Sequence, residues 1–507
     1  MSSGQVSERR RRSRLRRLAV FLLINSVFTA VLVVIALFYG WTSVARGLPE
    51  LQGWHLDWPP SDFREEDLTP GYSFDDYLAQ EDQAFAELAA LVQGPWAGEA
   101  PERLSRFRAG SRSDPASLLD RNWNRSFVLE AERPVGGALL LHGLSDAPYS
   151  LRAIGHRLHD EGYTVIWMRV PGHGLSPAAL TEIEWEDWAA AVRVAMVGLL
   201  AKVPAPAPLV MVGYSNGGAL SVDYTIASLR DASMPRPAAL ALFSPMIGVN
   251  PMAKMTTLYP WVARISGQKK VAWAHLDAEI DPYKYSSWPM NASLQAWRMT
   301  QRVESDLAEQ QKRGGMGEFP PVITIQSAVD ATVKAPLLIE RLFDRLPANG
   351  SELVLFDINR KALLGDLLRL KFEDALRQRL ARQDPAFSVT LITNASEDTT
   401  DLLARRWSGG EQSETPIDLQ WPKDVYSLSH LAMPIPSEDP VYGTAEATEG
   451  TGLPLGSLSL RGESGVLAIS DGSLLRQRYN PFYKHTENLI IDWLSRTIGA
   501  PAPDAAE

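Results

Sequence analysis

The hydrophobic pattern of the chain changes character three times, and each change predicts a different kind of element. Near the amino end it is continuous rather than periodic. Leu18 to Tyr39 is 22 residues without a charge, and Asn25, Ser26 and Thr29 are its strongly polar members. At 1.5 Å per residue this makes about 33 Å of helix, close to the hydrocarbon thickness of a bilayer. The pattern therefore predicts one transmembrane helix over 18–40. Arg9 to Arg12, Arg14, Arg16 and Arg17 stand just before it. Such charge stays cytoplasmic, so residues 1–17 are expected as a basic cytoplasmic tail, with the bulk of the chain on the extracytoplasmic side (periplasmic in a Gram-negative cell). The competing reading is a cleaved signal peptide with Ser43-Val44-Ala45 as its processing site, but such apolar cores run only about 7–15 residues. No second stretch matches it in length and apolarity, so the expectation is a single-pass membrane protein with a signal anchor.

From Trp41 to about Pro70 the chain is rich in Pro, Gly and Trp, as a linker would be. A helix is predicted over Phe74–Val92, capped by Ser73 with Asp76 three residues on. Together 41–124 reads as a linker and helical extension. Beyond it short apolar runs alternate with helical periods. Strands are predicted at Ser126–Glu130, Gly137–Leu141, Thr164–Arg169, Leu209–Val212, Ala238–Phe243 and Val322–Gln326. Helices are predicted at Leu151–His159, Trp185–Leu200 and Ala219–Leu229. That rhythm means βαβ units, hence an α/β fold with a mostly parallel central sheet flanked by helices. Two stretches break it. Residues 245–318 are rich in Trp, Tyr and Met, and 359–424 includes an amphipathic period near Leu363–Leu380; both read as insertions on the rim of a domain over 125–498. Residues 499–507 read as a flexible tail, and no internal repeat is present.

Composition narrows the chemistry. With 45% hydrophobic and 22% charged residues the chain is globular. Its lack of cysteine excludes disulfides, thiolate metal sites and a cysteine nucleophile. Residues 1–45 hold seven arginines against Glu8, a surplus of six, so the rest of a chain of net charge −10 carries −16. A body that acidic is a poor grip for phosphate backbones, and no nucleic-acid partner is expected. No phosphate-binding loop or metal-ligand cluster is legible, so neither cofactor nor metal is expected. Oligomeric state leaves no signal.

One constellation carries chemistry. The strand Leu209–Val212 runs into Gly213-Tyr214-Ser215-Asn216-Gly217-Gly218 and then a helix. This is G-x-S-x-G on a strand-to-helix turn, which lifts a serine hydroxyl over the sheet's end and aims the next backbone N–H at the same space. A serine needs a base, and the base an orienting carboxylate. A second oxyanion donor suits Leu144 in Leu141-His142-Gly143-Leu144, with His142 bracing that loop rather than acting as base. Asp330 follows its strand closely and is the favoured acid; the rival is Asp357, ending the apparent strand Glu352–Phe356. Of the late histidines, His430 sits on a loop and is the favoured base, while His485 opens the terminal helix and is the alternative.

These residues resemble the α/β-hydrolase superfamily, particularly its esterase and monoacylglycerol-lipase-like branch, often described as serine aminopeptidase-like. The matching segments are LLLHGLSDAPYSL (139–151), RVPGHGLSP (169–177), VMVGYSNGGALS (210–221), the segment ending at Asp330, and YSLSHLAMP (426–434). The resemblance implies an α/β-hydrolase fold with Ser215 as nucleophile, Asp330 as acid, His430 as base, and Leu144 and Asn216 as oxyanion donors. It makes Gly172-His173-Gly174 a structural loop and 245–318 a cap. The chain departs from the family in its membrane anchor and in the wide Asp330–His430 spacing, and the stretch after His430 keeps His485 in play. An apolar cap over a serine favours lipid-like or small acyl esters. The expected activity is carboxylic-ester hydrolysis, with a lipid or small-molecule ester and the membrane as partners. The alternatives are an acyltransferase or peptidase using the same triad, and an inactive membrane-anchored scaffold.

Overall fold

A computed structural model describes residues 3–100, 103–248, 257, 259–361, 385–458 and 476–499. Helix α1 (Ser3–Gly47) contains the predicted span. Leu15–Gly47 is long and apolar enough to cross a membrane, with a mean hydropathy of 2.7 in its most apolar window. Phe21, Leu22, Leu23 and Phe28 are exposed along it. Helix α2 (Phe74–Gln93) begins where Ser73 and Asp76 cap one another, Asp76 N–H donating to Ser73 Oγ and Ser73 N–H to the Asp76 carboxylate.

The domain then alternates as its periodicity predicts: β1 (Phe127–Leu129), β2 (Gly136–Leu141), α3 (Arg152–Asp160), β3 (Tyr163–Met168), α4 (Trp185–Ala201), β4 (Leu209–Tyr214), α5 (Asn216–Arg230) and β5 (Ala239–Phe243). A smaller set follows, α6 (Tyr259–Ser266), the short pair β6 (Trp273–His275) and β7 (Trp288–Pro289), and α7 (Met290–Lys312). The chain returns with β8 (Val322–Ser327), α8 (Ala335–Arg341), β9 (Glu352–Phe356), β10 (Ser388–Asn394), β11 (Asp401–Ser408), β12 (Glu411–Gln420) and the terminal α9 (Tyr483–Ile498). The main sheet has ten strands in the order β1-β3-β2-β4-β5-β8-β9-β10-β11-β12. From β3 to β10 all neighbours are parallel; β1, β11 and β12 run antiparallel at the two edges. This is the α/β-hydrolase fold.

Both faces of the central strands are buried, which is why they read as continuous apolar runs. Leu139 and Leu141 enter one core with Met211 and Leu242, while Leu140 enters the other with Val212 and Phe243. The sheet order reverses at β2, which has β3 on one side and β4 on the other. The crevice at such a reversal, beyond the strands' carboxyl ends, is where this class of sheet binds ligands. The loops after β2 and β4 meet there.

Two segments differ from expectation. Residues 41–70, read as a linker, are partly folded onto the domain: Trp54 and Phe63 are buried, and Asp62 reaches the loop after β3. In 359–424, read as a rim insertion, β10 pairs in parallel with β9, and β11 and β12 extend the sheet. The amphipathic period at 363–380 lies outside the described residues. In the cap stretch, α7 packs along α5, while Val262 of α6 packs with Ala45 at the carboxyl end of α1.

Candidate active site

Ser215 sits between β4 and α5 with φ 51° and ψ −110°. A left-handed φ at a serine costs on the order of 1–3 kcal/mol and persists only where the surroundings impose it. Here the Ser215 N–H donates to Phe243 O at 3.0 Å, and its carbonyl accepts from Met246 N–H at 2.8 Å. The flanking glycines follow from the same turn. A Cβ on Gly217 would lie 1.9 Å from Leu141 O, and one on Gly213 would lie 2.6 Å from Gly217 O. No side chain fits either position.

The loop after β2 lies alongside because β2 and β4 are parallel neighbours. Gly217 N–H donates to His142 O at 3.0 Å and stitches the two loops together. Among the described residues, neither the Leu144 nor the Asn216 N–H donates to a protein acceptor, which leaves both available beside the Ser215 hydroxyl. His142 is fully buried, and its Nε2 accepts from Val170 N–H at 3.0 Å. Burial, helped by the adjacent His173, drives its pKa well below the ordinary value, so it is a neutral brace. His173 is likewise buried, bonds the carbonyls of Val170 and Pro171, and has its pKa lowered by burial to about 4.

Asp330 stands past the end of β8, where the N–H groups of Thr332 and Val333 donate to its Oδ1 at 2.8 and 3.0 Å. Its Oδ2 bonds His430 Nδ1 at 2.8 Å. Burial alone would raise this carboxyl's pKa; the charge and hydrogen bond of His430, with the two backbone donors, hold it below the ordinary carboxylate value. His430 opens a single helical turn, His430–Ala432. Its Nε2 lies 3.0 Å from Ser215 Oγ. One imidazole thus bridges the serine and the Asp330 carboxylate, with all three groups at most 8% exposed.

The rivals lie elsewhere. The Asp357 carboxylate is engaged by Arg360 at 2.9 Å and by Thr393 Oγ1 at 2.8 Å. His485 is half-buried on α9 and makes no hydrogen bond to Ser215 or Asp330. A cavity of about 350 Å³ opens over Ser215 and His430, walled by Leu144, Met246, Trp288, Trp297 and Leu431. The aromatic character of 245–318 marked three of those walls in advance. Lys284 and Arg476 also line the cavity, and no motif announces either.

Residues 132–312 match the family described as "Serine aminopeptidase, S33". A thermostable monoacylglycerol lipase of Bacillus sp. (strain H-257) is 35% identical over 63 residues, 12% of this chain and 25% of that protein. The chain thus spans about a quarter of that relative's length. Among solved structures, a soluble variant of monoglyceride lipase from Saccharomyces cerevisiae is 16% identical, covering 46% of this chain and 82% of its own at a TM-score of 0.36. The Paleococcus ferrophilus monoacylglycerol lipase is 18% identical, covering 46% of this chain and 89% of its own at a TM-score of 0.35. The sheet order is that of an α/β-hydrolase fold, and over 132–312 the chain is similar to the serine aminopeptidase family.

Proposed function

We propose that this chain is a membrane-anchored serine hydrolase of carboxylic esters, with Ser215 as nucleophile, His430 as base and Asp330 as acid. The observation that carries the reading is the single imidazole within 3.0 Å of Ser215 Oγ and 2.8 Å of Asp330 Oδ2. In the cycle, His430 Nε2 takes the Ser215 proton as Oγ attacks the ester carbonyl. The Leu144 and Asn216 N–H groups receive the oxyanion. The imidazolium, steadied by Asp330, returns the proton to the departing alcohol and leaves an acyl-enzyme. Water, deprotonated by the same imidazole, then attacks that acyl group; the acid departs and Ser215 recovers its proton.

The apolar walls of the cavity favour an ester with an apolar portion, lipid-like or of small acyl size. Helix α1 is read as the anchor, with its basic tail cytoplasmic and the catalytic domain on the far side of the membrane. Its end packs on the cap helix α6, which supports a site held near the membrane surface. A chain-length series of p-nitrophenyl esters tests this reading. Turnover is expected to rise with acyl length, to collapse in His430→Ala and to survive in His485→Ala. Activity that peaks on the shortest chains would contradict the lipid-like substrate, and survival of His430→Ala would move the base.

A further inference from the structure

The cavity over Ser215 is apolar along most of its wall and cationic at one part of it. Lys284 and Arg476 line it, and among the described residues no Asp or Glu does. Lys284 is half-buried in the segment between β6 and β7. Among the described residues its ammonium has one hydrogen-bond acceptor, the Leu144 carbonyl at a long 3.4 Å, and no carboxylate oxygen within 4.0 Å. Two acids attract it from behind, in a neighbouring cavity of about 30 Å³ lined by Asp146 and Asp281. Asp281 is already engaged by Arg478 at 2.8 Å and by the Tyr442 hydroxyl. Asp146 accepts the Ala147 N–H at 2.9 Å, and burial raises its pKa to about 6.

Arg476 is exposed at the cavity wall, repels Lys284 and makes no ion pair with a described residue. Two like charges therefore face one space with no carboxylate lining it among the described residues, in a chain whose net charge is −10. A cation removed from water costs free energy unless an anion meets it. Asp146 and Asp281 attract Lys284 from the neighbouring cavity, and among the described residues no acid lines the cavity over Ser215 itself.

We propose that Lys284 and Arg476 form an anion subsite within the site cavity, so that the preferred substrates are esters carrying a carboxylate or phosphate near the scissile bond. The inference rests on the ester-hydrolase reading and adds the substrate class to it. The lysine's contact with Leu144 places the positive charge beside the oxyanion loop. The anion could belong to the acyl portion or to the alcohol portion, and two substrate pairs separate these. One pair is p-nitrophenyl pentanoate against the mono-p-nitrophenyl ester of glutarate. The other is a monoacylglycerol against the same lipid carrying a 3-phosphate.

The full chain in detergent is expected to favour the anionic member of one pair by about tenfold or more in kcat/KM, chiefly through KM. Lys284→Met and Arg476→Gln should each shrink that ratio by about tenfold, and raised salt should shrink it in the wild type. A wild-type ratio at or below one in both pairs would overturn the proposal. So would a ratio unmoved in the variants, including an equal kcat loss on neutral and anionic esters in Lys284→Met, which would make the lysine a support of the oxyanion loop alone. If Lys284→Met fails to melt cooperatively, the Arg476→Gln ratio decides. Neutral esters turned over without anionic preference would sink this inference by itself. Loss of all ester turnover and of fluorophosphonate labelling in the wild type would sink the hydrolase reading first.

Discussion

The Asp62–Arg169–Glu81 cluster and the Asp330–His430–Ser215 cluster are both buried, and both join carboxylate to nitrogen. In the first, every nitrogen of the Arg169 guanidinium is bonded: Nε donates to Glu81 at 2.8 Å, one terminal nitrogen to Asp62 at 2.9 Å and the other to His173 O at 3.1 Å. Its acids are bonded too, Glu81 by the N–H and hydroxyl of Ser126, and Asp62 by Gly172 N–H. Burial would lower the guanidinium's pKa, but Asp62, Tyr77 and Glu81 drive it well above its ordinary value, so the charge is permanent. In the second cluster the guanidinium is replaced by an imidazole, and the chain of bonds ends on a hydroxyl facing a cavity. The first arrangement ties the segments carrying Asp62 and Glu81 to the loop after β3. A hydroxyl facing a cavity beside an imidazole, rather than burial or charge, sets the second apart and is why we propose it as the reactive one.

The sharpest way to break that comparison is to remove the open end. Ser215→Ala should cut ester turnover by about 10⁶-fold while shifting the melting temperature by only about 2–4 °C, read by steady-state assay and thermal melt. Asp330→Asn should cost about 10⁴-fold in kcat, again with the fold retained. Arg169→Met should invert the pattern. It strands two buried acids, costs about 3–5 kcal/mol and lowers the melting temperature by about 10 °C, with a far smaller change in kcat than Asp330→Asn. A kcat loss in Arg169→Met as large as in Asp330→Asn would erase the distinction.

A smaller effect sharpens it by pH. His173 is held at about 4 against an ordinary 6.5, and burial also lowers His142 well below that ordinary value. An imidazole held low in the folded chain is protonated more readily when unfolded, so stability falls as the pH drops from about 6.5 towards 4, by about 1.4 kcal/mol per unit for each. Asp330 behaves differently. Its lowered pKa adds stability above the ordinary carboxylate value of 3.8, lost only as the pH falls through its own lower value. Between pH 7 and 4.5 these histidines pull the melting temperature down against the raised carboxyls of Asp146 and Glu279, and His173→Gln should remove its share of that pull; an unchanged slope would contradict this.

The turn proposed to carry the nucleophile was legible because it is local: two glycines that admit no Cβ and a strand of unbroken apolar residues lie within ten positions. Asp330 was legible from its distance past a strand end. The base was harder, since 100 residues separate His430 from Asp330 and only the fold brings them together. The Arg169 staple left no sequence signal, because its three partners come from three separate segments. The edge strands were hidden by their polarity: β12 is Glu411–Gln420, exposed along most of its length. A signal was nonetheless present, as Gly409-Gly410 both take positive φ and turn β11 back onto β12.

Fluorophosphonate labelling with the modified residue mapped by mass spectrometry reads the reactivity of that hydroxyl without assuming a substrate. An adduct on Ser215 in the wild-type chain, formed far more slowly in His430→Ala, is the predicted result. No adduct, an adduct on a different serine, or labelling of His430→Ala at the wild-type rate would contradict the account.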